Sequence, residues 1–205
     1  GAPVNVLAIE SVMEDLAAMA GEDALDFRLR HLDDPRGRDV LALAAEMCGW
    51  RGRAKREGFG LGLAYARYKH TGAYCAVAAE IEALDRVVCR RLWIAADVGE
   101  VINPDGVVNQ SEGGAIHGVS MALKEQVAFD RRTVTGTRWE DYPILRFSEV
   151  PTVETRLIPR PEEKPLGAGE ASLAPAVAAI ANAIHDALGI RPRAMPFTPD
   201  NLASA

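Results

Sequence analysis

The chain has 205 residues, of which 48% are hydrophobic and 25% charged, with a formal net charge of −6 at pH 7. This length suffices for one large domain or two small ones with a proper hydrophobic core. The composition excludes a disordered or collagen-like chain, and the acidic balance argues against a general affinity for nucleic acid or anionic membranes. No run approaches the roughly 18 consecutive apolar residues of a membrane-spanning helix, and no signal peptide is recognisable at the start.

Hydrophobic periodicity predicts three helices at the start of the chain, over residues 6–20, 24–32 and 39–48, and Gly49 ends the third. The apolar positions of the first helix recur at helical spacing at Ile9, Met13, Leu16 and Ala20. Acidic side chains fall between these positions. We therefore expect the acids of this helical segment to face solvent.

The spacing of the hydrophobic residues along the sequence changes after residue 57. Three runs rich in Ala, Val, Ile, Tyr and Trp are separated by His70-Thr71-Gly72 and by residues 83–86, which predicts a three-stranded antiparallel sheet. The first run, "GFGLGLAYARY", superficially resembles a nucleotide-binding glycine loop. Such a loop should follow a strand and open a helix, but here a basic segment precedes it and a strand follows. A strand relieved by glycines is the preferred interpretation, and a nucleotide-binding enzyme using residues 58–62 fails on context.

A turn at residues 103–106 precedes a predicted helix over residues 107–126. Gly113, Gly114 and Gly118 lie inside it, although each costs about 1 kcal/mol of helix propensity relative to alanine. That cost suggests close approach of another backbone or a ligand. Gln110 shares a face of this helix with Gly114 and His117.

The segment that follows is rich in proline and should run extended, with a strand added over residues 153–158. A final helix over residues 171–188 ends at Gly189. The order of helices, strands, glycine-containing helix, extended arm and helix indicates an α+β fold rather than a doubly wound sheet.

One carboxylate, Glu170 in "KPLGAGEASLAPAV", lies directly after a glycine-rich turn and directly before the predicted last helix. The residues alone leave two interpretations open. Glu170 is either an acidic residue stabilised by the dipole of the helix, or a base held where the glycines let a ligand approach the backbone.

Metal chemistry based on side chains has little support. Cys48, Cys75 and Cys89 are far apart and lack C-x-x-C spacing, which favours buried structural thiols over a zinc or iron–sulfur site. The four histidines are isolated from one another and from cysteine. Because the chain also lacks G-x-S-x-G, H-E-x-x-H and P-loop motifs, serine hydrolase, zincin and kinase assignments are unsupported.

Several motifs in order resemble the C-terminal part of the molybdopterin-binding subunit of the xanthine dehydrogenase and aldehyde oxidase family, most closely the isoquinoline 1-oxidoreductase-like branch. They run from "NVLAIESVMEDLA" through "GLAYARYKHTGAYCAVAAEIE", "AADVGEVINPDGVVNQSEGG" and "WEDYPILRFSEVP" to "PLGAGEASLAPAVAAIANAI". The resemblance implies a helical segment over residues 1–57, and a portion of the molybdenum-cofactor-binding domain over residues 58–205.

The resemblance also implies roles for individual residues. Glu170 matches the family's general base, and Gln110 matches a glutamine that contacts the cofactor. Gly113, Gly114 and Gly169 would leave room for that group. The implied cofactor is molybdenum–molybdopterin, whose metal is bound by the pterin dithiolene and by no protein side chain, and the family carries its 2Fe–2S clusters on a partner.

Two departures from the family pattern matter. Ala168 stands where many relatives have valine, which we expect to be a packing adjustment. The glycine- and glutamine-rich loops that hold much of the pterin do not occur in these residues. We therefore expect a fragment, a separate subunit or a processed product that needs the remaining part of the molybdenum subunit, an iron–sulfur subunit and a small-molecule substrate. The alternative hypothesis is a noncatalytic scaffold or assembly module of the same fold.

Overall fold

The computed structural model describes residues 1–204 and combines helices with one small sheet, which confirms the predicted α+β class. In chain order the elements are α1 (Ala2–Ala20), α2 (Ala24–His31), α3 (Pro35–Met47), β1 (Phe59–Arg67), β2 (Tyr74–Ala83), β3 (Val87–Asp97), α4 (Pro104–Leu123), β4 (Thr152–Leu157), α5 (Leu173–Leu188) and α6 (Pro199–Ala203). Within the described residues, no helix has both the length and the apolar character to cross a bilayer.

The sheet has the strand order β1-β2-β3-β4. β1 to β3 form antiparallel pairs, as the sequence predicts. β4 confirms the strand predicted after the extended segment and lies parallel to β3. A parallel neighbour requires a crossover connection, which α4 and the arm after it supply.

Side chains on alternate sides of the strands enter two different cores. Cys75 and Val77 of β2 pack in the core that contains α5, whereas Ala76 and Ala78 pack in the core that contains α3. Helix α5 is buried along nearly its whole length, since α1 and α4 cover it on the side away from the sheet. Segment 1–57 thus supplies helices to both faces of the sheet, and its boundary at residue 57 stays a prediction.

The glycines of β1 allow α5 to lie directly on the strand. A Cβ atom at Gly60 would be 2.0 Å from the carbonyl oxygen of Ala183, and one at Gly62 would be 2.1 Å from the carbonyl oxygen of Ala179. Real Cβ atoms do not approach backbone oxygens so closely. "GFGLGL" is therefore a packing surface for a helix, which agrees with the glycine-relieved strand predicted from the sequence.

Helix α1 ends at Ala20 as predicted but begins at Ala2, four residues earlier than predicted, and the expected division into apolar and acidic faces is wrong. Ile9 is 60% exposed and Leu16 is 42% exposed, whereas Glu10 is only 4% exposed. Glu10 is buried because its carboxylate accepts a hydrogen bond of 2.9 Å from Nε of Arg28 on α2, and Arg28 is itself buried. The expectation that the acids of this segment face solvent therefore fails at Glu10.

Helix α3 begins four residues earlier than predicted. The carboxylate of Asp34 accepts a hydrogen bond from the backbone N–H of Arg36, and Pro35 occupies the first helical position. Both features favour a helix start. The first turn of α3 therefore forms where the sequence pattern predicts no helix.

Candidate functional site

Helix α4 places its glycines on two different sides. It begins at Pro104, three residues earlier than predicted, because the side chain of Asn103 accepts a hydrogen bond from the N–H of Gly106. A Cβ atom at Gly114 would lie 2.6 Å from Oγ of Ser172, whereas one at Gly113 would meet nothing within 4 Å. Gly114 therefore serves the contact between α4 and the start of α5, and Gly113 lies on an open surface.

The loop that leads to Glu170 is held by three hydrogen bonds from three different parts of the fold. The N–H of Leu166 donates to the carbonyl of Val98 at 2.7 Å, and the N–H of Ala73 donates to the carbonyl of Gly167 at 3.1 Å. Nε2 of Gln110 then donates to the carbonyl of Gly169 at 2.6 Å. The structure thus brings the predicted residues Gln110 and Gly169 into direct contact across 59 positions of sequence.

Helix α5 begins at Leu173, so the predicted start at residue 171 is wrong by two residues. Pro175 explains the difference, because it has no N–H to donate to the carbonyl of residue 171. The first bond of the helix is instead donated by Ala176 to the carbonyl of Ser172 at 3.0 Å. Glu170 therefore lies outside the first turn, within which the influence of the helix dipole is concentrated.

The direct partner of Glu170 is Tyr68, whose hydroxyl group donates a hydrogen bond to Oε2. Glu170 is exposed, and Tyr68 is partly buried on the turn between β1 and β2. Sequence reasoning missed Tyr68, because 102 positions separate the two residues and nothing in the local pattern marks the contact. The only signal was its place at the end of a strand, beside the predicted turn.

A surface cleft of about 420 Å³ lies between the start of α4 and this loop. Gln110, Asn103, Ala168 and Gly169 are among the residues that line it. Oε1 of Gln110 has no hydrogen-bond partner within residues 1–204, so this amide has an acceptor free beside the cleft. A cofactor rich in donors and acceptors fits such a lining, since an amide can both donate and accept.

A buried carboxylate fixes the other side of the loop segment. Asp97, at the end of β3, is fully buried and accepts hydrogen bonds from Arg36 at 2.5 and 2.9 Å and from Arg160 at 3.2 Å. Burial acts to raise the pKa of Asp97, but the bonds from Arg36, the N–H of Gly99 and Arg160 outweigh it and hold the pKa below its usual value. This network ties α3 and β3 to the segment between β4 and α5, which contains the loop that leads to Glu170.

The remaining candidates lie apart from the cleft. Burial raises the pKa of Cys75 and of Cys89 to about 12, and that of Cys48 to about 11, which describes unreactive thiols. His117 is exposed with Nε2 3.8 Å from a carboxylate oxygen of Glu125. No group of three or more His, Cys, Asp or Glu side chains in the described part of the chain is placed to hold a metal ion.

A family model described as a molybdopterin cofactor-binding domain matches residues 6–151. The chain belongs to this family. The match confirms the resemblance to the molybdopterin-binding subunits of the xanthine dehydrogenase and aldehyde oxidase family that the motifs indicate.

Two relatives of the chain match almost its whole length. A nicotinate dehydrogenase subunit from Pseudomonas putida is 41% identical over 219 residues, which covers 98% of this chain and 18% of the relative. The beta subunit of isoquinoline 1-oxidoreductase from Brevundimonas diminuta is 35% identical and covers 93% of this chain and 25% of the relative. The chain thus spans about a fifth to a quarter of the length of these two proteins.

Solved structures show the same fold. The aldehyde oxidoreductase of Desulfovibrio desulfuricans superposes with a TM-score of 0.81 over 100% of this chain and 40% of that one, at 16% sequence identity. Quinoline 2-oxidoreductase of Pseudomonas putida 86 superposes with a TM-score of 0.59 over 64% of this chain and 18% of that one, at 26% identity.

Proposed function

We propose that this chain is the portion of a molybdenum hydroxylase that supplies the general base, Glu170, and a cofactor contact, Gln110. The observation that carries the proposal is their convergence: Gln110 bonds the carbonyl of Gly169, the residue directly before Glu170, at the edge of one cleft. The two relatives are named for nicotinate and isoquinoline, both aromatic N-heterocycles. We therefore propose an N-heterocycle or an aldehyde as substrate, with water as the source of oxygen.

The residues present fit a molybdenum–molybdopterin group at one wall of the cleft. Gln110 would accept a hydrogen bond at its free Oε1, while its Nε2 stays bonded to Gly169. Gly113 and Gly169 have no neighbouring atoms within 4 Å of a built Cβ, so a ligand can approach either backbone closely. When bound, the group would supply the redox chemistry, and the protein would supply orientation and a base.

The free oxygen Oε1 of Glu170 supports the proposal that this carboxylate accepts a proton. The hydroxyl group of Tyr68 occupies Oε2, and no hydrogen bond to Oε1 is made by any residue from 1 to 204. A carboxylate with one oxygen anchored and one free has a fixed orientation and an open acceptor. Proton transfer by such a positioned group typically contributes about 10²–10⁴-fold to a rate.

We propose three partners for this chain. The remaining part of the molybdenum-binding subunit would complete the cofactor site and cover Glu170, which is exposed here. An iron–sulfur subunit would carry 2Fe–2S clusters and remove electrons, and the substrate would be a small molecule. The relatives' names as subunits support an assembly of this kind.

The test is the substitution Glu170→Gln in the assembled enzyme, with Glu112→Gln as the matched control. Glu112 is a half-buried acid of α4 with no hydrogen bond or ion pair in the described chain. Turnover of Glu170→Gln should fall by at least about 10²-fold, while its molybdenum and pterin contents stay at the level of the control. Turnover close to that of the unaltered enzyme would overturn the assignment of the base.

Metal and pterin analysis of the natively purified complex tests the broader proposal. Stoichiometric molybdenum and pterin support a catalytic portion. A complex that lacks both would instead favour the noncatalytic scaffold of the same fold.

A further inference from the structure

Within residues 1–204, the Glu170 carboxylate accepts one hydrogen bond, and Tyr68 donates it. Its hydroxyl group donates to Oε2, and the residue is partly buried directly after β1. The sequence pattern predicts no role for this residue. What it does for Glu170 depends on how firmly its own position is fixed.

The backbone around Tyr68 forms a tight turn with several independent bonds. The N–H of Tyr68 donates to the carbonyl of Ala73 at 3.0 Å, and its carbonyl accepts from the N–H groups of Thr71 and Gly72 at 3.2 and 2.8 Å. Lys69 and His70 have φ angles of 49° and 59°, in the left-handed region that residues other than glycine seldom adopt. Such conformations persist only where the surroundings over-determine them, and they cluster at functional sites.

The same turn is attached to the loop that carries Glu170. The N–H of Ala73 donates to the carbonyl of Gly167, so the turn and the loop are bonded at a second point, three residues before the carboxylate. A Cβ atom at Gly72 would lie 3.2 Å from that carbonyl oxygen, which shows how closely the two backbones approach. The phenol and the carboxylate are therefore held on two segments of fixed separation.

We infer that Tyr68 is a positioning residue for Glu170: its hydroxyl group holds Oε2, so that Oε1 stays free to accept the reacting proton. This inference rests on the proposed function of Glu170 as base. A hydrogen bond to a charged acceptor is about twice as strong as a neutral one, so the phenol is a firm anchor for the carboxylate. Since Glu170 lies outside the first turn of α5, this bond, and not the start of the helix, fixes the direction of its side chain.

The other charged groups on the elements around Glu170 make no bond to it. Lys69 and His70 are exposed on the turn of Tyr68, and Glu112 lies on α4. None of the three forms an ion pair or a hydrogen bond with Glu170 in the described chain. Loss of the Tyr68 hydroxyl group thus removes the only hydrogen bond to this carboxylate that residues 1–204 supply.

The test is Tyr68→Phe in the assembled enzyme, with Tyr142→Phe as the matched control. Tyr142 also donates its hydroxyl to a carboxylate, that of Glu125 at 2.8 Å, but on the arm after α4. In Tyr68→Phe we expect kcat to fall by about tenfold, while KM and the molybdenum and pterin contents stay unchanged, because the carboxylate loses the hydrogen bond that orients it. Tyr142→Phe should leave kcat and KM in place.

Incorporation of 3-fluorotyrosine at position 68 tests the hydroxyl group itself. This residue keeps a phenol that can donate to Oε2, so kcat should stay close to that of the unaltered enzyme. Unchanged kcat in Tyr68→Phe, or a loss with 3-fluorotyrosine equal to that of Tyr68→Phe, would overturn the positioning role and leave the base in place when Glu170→Gln is inactive. Full activity of Glu170→Gln would instead refute the proposed function itself.

Discussion

Substitution of two adjacent glycines in α4 should change the stability of the protein in opposite directions. A Cβ atom at Gly113 meets nothing within 4 Å, so Gly113→Ala should gain the helix propensity of alanine, about 1 kcal/mol. A Cβ atom at Gly114 would lie 2.6 Å from Oγ of Ser172. That oxygen is buried and donates to the carbonyl of Ser111 at 2.6 Å, so it cannot move without losing its bond.

The cost of Gly114→Ala can be estimated from these contacts. Overpacking in a dense interior costs about 1–3 kcal/mol, and loss of a buried hydrogen bond adds about 1 kcal/mol, while helix propensity returns about 1 kcal/mol. A net destabilisation of about 2 kcal/mol corresponds to a fall in Tm of roughly 4–8 °C for a chain of this size. Thermal and urea unfolding of the variants side by side would measure it.

A double substitution distinguishes this explanation from a general intolerance of α4 to change. Ser172→Ala removes the clashing oxygen, so Gly114→Ala should cost less in its presence than alone, with a coupling of about 1 kcal/mol. Equal stability of Gly113→Ala and Gly114→Ala would refute the reasoning. So would strictly additive effects of Gly114→Ala and Ser172→Ala.

Three further substitutions test the supports of the site. Gly62→Ala should lower the free energy of unfolding in urea by about 3 kcal/mol, because its Cβ would lie 2.1 Å from the carbonyl oxygen of Ala179. A decrease below about 1 kcal/mol would contradict the packing of β1 on α5. Because the pKa of Asp97 is lowered, its contribution to stability is complete above its usual pKa of 3.8 and is lost as the pH falls through the lowered value. Asp97→Asn should therefore be less stable than the unaltered protein at neutral pH and should lose less stability on acidification. Parallel plots of stability against pH for the two proteins would refute this. Gln110→Leu should reduce the molybdenum and pterin contents of the assembled enzyme with little change in Tm. The control Gln126→Leu, at an exposed position, should leave the molybdenum and pterin contents unchanged. Full cofactor content in Gln110→Leu would remove Gln110 from the cofactor site.

Local patterns predicted the elements of this fold well, because the hydrophobic periods of helices and of strands can be recognised from neighbouring residues. Helices α1 to α5 and the antiparallel strands β1 to β3 were expected, and "GFGLGL" was assigned to a strand on context, whereas the short helix α6 was not predicted. It was harder to predict which face of each element is buried. Glu10 is buried because of Arg28, a partner 18 positions away whose approach depends on the packing of α2 on α1. The parallel placement of β4 likewise depends on the path of a long crossover.

The candidate site shows the same limit at longer range. The family motifs pointed to Gln110 and Glu170, but the bond from Gln110 to Gly169 spans 59 positions and the bond from Tyr68 to Glu170 spans 102. One local rule was also misapplied. Pro175 has no N–H, so it moves the start of α5 to Leu173 and leaves Glu170 on a loop.

The position of Glu170 on a loop changes what would hold this carboxylate in the proposed role of base. A carboxylate in the first turn of a helix would be stabilised by a dipole that no side-chain substitution can remove. On the loop, its orientation depends on the hydroxyl group of Tyr68 on one side and on the amide of Gln110 at the preceding carbonyl on the other. The glycines around it leave space for a ligand, and these two side chains restrict the freedom that glycine gives to the backbone. The orientation of the proposed base can therefore be changed by single substitutions at either support without disturbing the helix behind it.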